Sequence, residues 1–197
     1  MRRSVFVAVC VLVVGLVLLV GGLMLLSGLL SSGGNKVPSK VEVAFVAPPG
    51  FEWITKLNKT FEVDVEGLKP GSMAKREFTC DDIGRAPLVS WENVSGAKAY
   101  TVIVYDPDAP NGVFYHLIAY NIEGTSLKVL GEALANSGGF PGWYPICPPR
   151  GSGIHRYYFL VIAQDSSIPP VKSVQELADL LKNHAVAYGW SMIVYKR

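Results

Sequence analysis

Residues 100–110 read YTVIVYDPDAP. Tyr100 to Tyr105 form an apolar, β-branched and aromatic run, and Asp106-Pro107-Asp108-Ala109-Pro110 stops it. That composition predicts a core strand followed by a turn. Pro107 fixes its own φ and lacks an N–H, so the strand end cannot simply continue a ladder. Further runs read as strands: HLIAYN from His116, YYFLVIA from Tyr157 to Ala163, and WSMIVY from Trp190 to Tyr195. Upstream, FEVDVE from Phe61 to Glu66 alternates apolar and charged side chains, as a strand buried on one face does. Gly67 to Gly71, with Pro70, reads as its closing turn.

One helix is well marked. Ser173 followed by Glu176 makes a capping box. Val174, Leu177, Leu180, Leu181 and His184 recur at helical spacing, and Gly189 reads as the stop. His184, on the apolar face, reads as structural. Glu132 to Asn136 reads as a short helical turn. Asn136 to Gly153 is rich in glycine and proline and has no periodicity. A long structureless loop is uncommon in a compact domain, so an ordered, functional loop is expected there. The fold class is mainly β: an antiparallel β-sandwich with peripheral helices.

The N-terminus has a different character. Val5 to Leu30 carries no charge and follows Arg2 and Arg3. A bilayer-spanning helix needs about 20 apolar residues, and the leading arginines place the N-terminus in the cytoplasm. A cleaved signal peptide is the competing reading, but its apolar core runs roughly 7–15 residues before a small-residue cleavage site. This run is longer, and no clean A-x-A follows it. The expected organisation is a transmembrane anchor over 1–31, a flexible linker over 32–40 and one extracytoplasmic domain over 41–197. Of 18 Lys and Arg against 16 Asp and Glu, two lie at Arg2 and Arg3, so the rest of the chain is balanced. No basic stripe suggests nucleic acid as a partner.

Three segments place polar groups beside apolar strands: Asp106 to Pro110, His116, and Cys147-Pro148-Pro149-Arg150-Gly151-Ser152-Gly153-Ile154-His155-Arg156-Tyr157. If the chain stays extended, Asp106 and Asp108 share a face, as do His155 and Tyr157, and Arg156 points the other way. Imidazole and phenol are donors, and a carboxylate bonded to a histidine fixes its tautomer and favours the charged ring. A Gly- and Pro-rich loop can add backbone N–H groups. Together they would make a compact site for phosphate, carboxylate or sulfate. Taken singly, Asp-Pro-Asp is a turn signal and a lone histidine is surface or core. Cys80 and Cys147 lie where a disulfide is permitted, but their separation does not establish one.

The ordered set DPDAP, then His116 with Asn121-Ile122, then PP-x-G-x-G-x-HRY from Pro148 to Tyr157 resembles the phosphatidylethanolamine-binding protein family. It is similar in particular to the bacterial and archaeal branch, through Thr79-Cys80-Asp81, Pro87-Leu88-Val89-Ser90-Trp91, Cys147 before the double proline, and a close with His184, Gly189 and Tyr195-Lys196-Arg197. The resemblance spans about Val41 to Arg197. It implies a Greek-key-like β-sandwich with peripheral helices and a small anion pocket at one end. It implies ligand-binding roles for Asp106, Asp108, Pro110, His116, Cys147, Pro148, His155 and Tyr157, and by strand parity Arg156 is a structural ion pair. Three departures stand out: Leu117 where the branch has tryptophan, Arg85-Ala86-Pro87 for Ser-Pro-Pro, and Pro145-Ile146 where smaller residues are usual, which would reshape the rim.

The function expected from this is binding of a phosphate-like anion or phospholipid headgroup. Regulation or inhibition of a partner enzyme is an extension, since some relatives inhibit proteases or kinases. The chain reads as a binding module rather than an enzyme, with no cofactor implied. Two alternatives stand beside it. One is a metal-dependent hydrolase using Asp106, Asp108, His116 and His155, a donor set that suits transition metals. The other is a structural domain with a vestigial pocket. A serine hydrolase is disfavoured, because Gly151-Ser152-Gly153 lacks the G-x-S-x-G elbow.

Overall fold

A computed structural model describes residues 41–58, 60–127 and 131–197. The expected anchor and linker lie outside the described residues. Among those described, no helix is long and apolar enough to cross a membrane.

The strands are β1 (Thr60–Phe61), β2 (Val63–Val65), β3 (Ser72–Met73), β4 (Val89–Trp91), β5 (Ala99–Asp106), β6 (Phe114–Ile122), β7 (Glu132–Ala133), β8 (His155–Gln164) and β9 (Ala185–Tyr195), with helix α1 (Val174–His184) between the last two. One seven-stranded sheet runs β1-β9-β8-β5-β6-β7, with β3 also on β9, and β2 pairs with β4 in a second, two-stranded sheet. The central ladders are antiparallel, but β1 and β3 join β9 in parallel. The expected purely antiparallel arrangement therefore holds at the centre and not at that edge. The alternating run from Phe61 is also split. β1 pairs with β9 and β2 with β4, so the chain changes sheets at Glu62.

Strands β5 and β8 are buried along nearly their whole length. Period-two alternation sends Tyr100, Val102, Val104, Tyr157, Phe159 and Val161 to one core. Ile103, Tyr105, Tyr158, Leu160 and Ile162 go to a second core on the other face, which α1 covers with Leu177, Ala178 and Leu181. Burial on both faces explains why these strands read as continuous apolar runs rather than alternating ones.

Helix α1 starts at the capping-box pair, with the return bond made to the residue before the cap. Ser173 Oγ accepts from the Glu176 N–H at 3.1 Å, while the Glu176 carboxylate reaches back to the Lys172 N–H at 2.9 Å. The helix end differs from expectation, because α1 stops at His184 and β9 begins at Ala185. His184 is half-buried at that junction, where Nδ1 meets Ser166 Oγ at 2.9 Å and Asp165 Oδ1 at 3.0 Å. Glu132 to Asn136 is not a helical turn. Glu132 and Ala133 pair with Tyr120 and Ala119 at the open edge of β6. Asn121 there takes a left-handed φ of 54°. Its side chain holds that conformation by donating to the Ile168 carbonyl at 2.8 Å and accepting from the Ile168 N–H at 2.9 Å.

Gly189 is not a helix stop but a strand residue beside β1. A Cβ at Gly189 would lie 2.4 Å from the Phe61 carbonyl oxygen, so only glycine lets the two backbones approach. Gly189→Ala is expected to destabilise the domain by about 1–3 kcal/mol through overpacking. Urea unfolding would measure the loss, and hydrogen exchange would localise it to β1.

Candidate functional site

Because β5 and β8 are antiparallel neighbours paired through Tyr105 and Tyr158, the end of one meets the start of the other. This places Asp106 against His155, 49 residues away in sequence. His155 Nδ1 lies 2.7 Å from Asp106 Oδ2. A carboxylate accepts, so Nδ1 carries the proton. The two residues are 2% and 3% exposed, so the pair is removed from water. Burial pushes the Asp106 carboxyl above its usual range, and the His155 contact opposes this. Asp106 Oδ1 accepts the Asp108 N–H at 2.8 Å, and His155 Nε2 meets Ser152 Oγ at 2.8 Å.

The Asp108 contact is an Asx-type turn, and it overturns the expectation that Asp106 and Asp108 share a face. The chain bends at Pro107, and the Asp108 carboxylate turns away from the pocket. It receives the Arg156 Nε at 2.8 Å, Nη2 at 2.7 Å and backbone N–H at 2.9 Å. Burial alone raises the Asp108 carboxyl, but the Arg156 side chain and N–H together hold it below the ordinary range. Asp108 and Arg156 therefore clamp the β5 turn onto β8 as a bidentate pair. Arg156 plays the structural part that its strand parity implied.

His116 reaches the pocket through a bulge. Val104 pairs with Leu117 and Tyr105 with Tyr115, so one extra residue, His116, is inserted in β6. A bulge re-aims a side chain. Here it sends His116 to the same side as Leu117, against the rings of Tyr157 and Trp143 at centroid distances of 5.3 and 5.9 Å. Tyr144 brackets it: the Tyr144 N–H donates to the His116 carbonyl, and His116 Nδ1 donates to the Tyr144 carbonyl, both at 2.8 Å. Only a ring nitrogen can be the donor to a carbonyl, so the proton sits on Nδ1. Among the described residues the His116 ring makes its hydrogen bond through Nδ1, not Nε2. Burial pushes the imidazole down to about 4, so it is neutral at pH 7.

The loop across the pocket mouth is stapled from below. Ile146 exchanges backbone hydrogen bonds with Phe78 and Cys80, and Cys147 forms a disulfide with Cys80 at a Cα–Cα distance of 5.4 Å. The C-terminus closes the same region. Asp81 accepts Tyr195 Oη at 2.9 Å and Arg197 Nε at 3.1 Å, and the Arg197 carbonyl accepts the Gly151 N–H at 3.1 Å. Ile146 is fully buried, so it fills core and does not line the pocket. Pro145 packs over Gly84, where a Cβ would lie 2.8 Å from the Pro145 ring.

These elements enclose a pocket of about 190 Å³. Asp106, Pro110, His116, Cys147, Pro148, His155 and Tyr157 line it, with Phe114 and Tyr144 adding apolar wall. Of the eight residues the resemblance implicated, Asp108 alone is not on its wall. The Tyr157 hydroxyl is buried beside Asp106 without a hydrogen-bond partner, and burial followed by the Asp106 charge raises its pKa. A larger open groove of about 630 Å³ lies along Phe61 to Asp64, Trp91 and Trp190. It gathers no imidazole and no buried charge pair, so the smaller pocket is the chemical site.

The metal-site alternative does not fit this arrangement. Asp108 is committed to Arg156, and both His155 nitrogens and His116 Nδ1 are engaged within the protein. Among the described residues, no three His, Cys, Asp or Glu side chains converge as a metal site. Sequence reasoning missed Ser152 and Tyr144. Tyr144 sits in an aperiodic loop. Ser152, three residues beyond the double proline and three before His155, is placed by a turn in which its hydroxyl donates to the Pro149 carbonyl at 2.7 Å.

The family model for phosphatidylethanolamine-binding proteins matches residues 66–196. The chain belongs to that family. A UPF0098 protein of Aquifex aeolicus is 31% identical over 151 residues, covering 69% of this chain and 88% of that protein. A UPF0098 protein of Pyrococcus horikoshii is 32% identical over 139 residues, covering 61% and 69%. Among solved structures, the phosphatidylethanolamine-binding protein homologue CT736 of Chlamydia trachomatis aligns with a TM-score of 0.65 at 25% identity, over 71% of this chain and 99% of that one. YbcL of Escherichia coli aligns at 0.61 and 27% identity, over 70% and 98%. These likenesses agree with the mainly β fold seen here.

The disulfide ties the pocket loop of this phosphatidylethanolamine-binding protein family member to a segment 67 residues away. Replacing both cysteines by serine should cost about 2–4 kcal/mol of stability. Urea unfolding with and without reductant checks this, and reductant should leave the double variant unchanged.

Proposed function

We propose that this domain is a binding module whose 190 Å³ pocket takes a small phosphate-type group, free or as the headgroup of a phospholipid. The observation that carries the reading is convergence. The Asp106–His155 pair, the open Nε2 of His116 and the unpartnered Tyr157 hydroxyl meet at one apolar-walled cavity. Such pockets are mostly apolar with a few placed polar groups that fix orientation. The volume corresponds to about six water molecules, which suits a headgroup rather than an acyl chain. Family membership supports a binding role of this type.

The reading includes a place outside the cytoplasm, tethered through residues 5–30. The Cys80–Cys147 disulfide supports it, because such bonds persist in oxidising compartments.

Tyr157→Phe removes a hydroxyl that has no partner in the free pocket. Fold stability should be unchanged or slightly raised. Affinity for phosphate and phosphoethanolamine should fall by about 1.5–3 kcal/mol, the worth of a hydrogen bond to a charged group. Calorimetry on the full chain at pH 6, with and without chelator, measures this. No binding by the unmodified chain rejects the reading, and binding that needs a metal contradicts it.

A further inference from the structure

Neither imidazole in the pocket has a free N–H to offer. His116 donates from Nδ1 to the Tyr144 carbonyl, and the neutral ring leaves Nε2 as a bare acceptor on the pocket wall. His155 donates from Nδ1 to Asp106, and its Nε2 is covered by Ser152 Oγ. Two histidines gripping an anion as donors, the arrangement expected from the sequence, is therefore not what the side chains present. The pocket instead sets one acceptor, His116 Nε2, near the buried Tyr157 hydroxyl, which lies beside the Asp106 carboxyl and makes no hydrogen bond of normal distance and angle.

We infer that the pocket selects the singly protonated form of a phosphate monoester, whose P–OH donates to His116 Nε2 while a P–O⁻ accepts from Tyr157. This rests on the phosphate-type reading above and specifies its ligand. A dianion has no proton for His116 and brings a second negative charge toward Asp106. A diester has no P–OH, so of the two sources named above only free monoesters and those phospholipid headgroups that are themselves monoesters qualify. An ammonium group matches the acceptor but leaves the Tyr157 hydroxyl unanswered.

The groups facing His116 are Asp106 from β5, His155 and Tyr157 from β8, and Tyr144 from the loop, while Phe114 and Trp143 carry no charge. Burial keeps His116 neutral and Tyr157 protonated between pH 5.5 and 8, as order-of-magnitude bounds around the ligand's own titration at about pH 6. Across that window the ligand changes charge while these two groups do not.

The test is calorimetry of the full chain with methyl phosphate across that range. Affinity should be flat below the ligand's second pKa and fall about tenfold per pH unit above it. Trifluoroethyl phosphate, a stronger acid, should break at correspondingly lower pH. A break point that stays fixed for both ligands would mean that a protein group titrates, and would overturn the inference. So would affinity that holds or rises up to pH 8. Dimethyl phosphate and glycerophosphoethanolamine should bind at least tenfold more weakly than methyl phosphate at pH 6. Equal binding by glycerophosphoethanolamine would assign the donor to the ammonium, and also overturns it. Either result leaves the phosphate-type pocket standing, whereas no binding by any of these probes removes that reading too. Nitrogen-15 spectra of the unmodified chain give a second readout. The unprotonated Nε2 resonance of His116 should shift as methyl phosphate is added at pH 5.5 and stay put when dimethyl phosphate is added.

Discussion

The hydrogen bond between His155 and Asp106 joins the first residue of one central strand to the last residue of its neighbour. Both partners are buried, so separating them would leave an unpaired polar group without water. That constraint fixes the local register and the direction in which Asp106 points. It also leaves the following residues no room to stay extended. Asp106 takes the Asp108 N–H, the chain bends, and Asp108 delivers its carboxylate to Arg156 on the opposite side of β8. Adjacent residues thus feed two separate pairs: Asp106 with His155 at the pocket, Asp108 with Arg156 behind it.

The rest of the site is assembled around that junction by devices of different strength. A single-residue bulge delivers His116 from β6. The loop carrying Tyr144, Pro148 and Pro149 is held by the Ile146 backbone bonds, by the disulfide, and by the C-terminal residues Tyr195 and Arg197 acting through Asp81. The Tyr195 hydroxyl, with Arg197, holds Asp81 below the ordinary carboxylate range. A loop restrained on that many sides can present prolines and a carbonyl at fixed positions without secondary structure of its own.

The central strands were legible in the sequence because burial on both faces leaves no choice but apolar runs. The helix start was legible because capping needs particular side chains at particular spacings. The edges were not. Two- and three-residue strands such as β1, β3 and β7 carry no periodic signal, and their pairing is decided by what lies beside them. Gly189 illustrates this: its role comes from the approach of Phe61, which no local pattern encodes. At the site, parity placed His155, Tyr157 and Arg156 correctly because β8 is regular there. Parity failed for Asp108, beyond the strand end. The bulge at His116 and the tautomers of both histidines depend on tertiary partners, Tyr144 and Ser152 among them, that sequence spacing cannot supply.

The direct test of the account is a crystal structure of the full chain with methyl phosphate at pH 6. The predicted result is one tetrahedral group within hydrogen-bonding distance of His116 Nε2 and the Tyr157 hydroxyl, with the His155–Asp106 contact intact. A phosphate bound elsewhere while this pocket is closed by packed side chains, or His155 and Asp106 found apart, would contradict it.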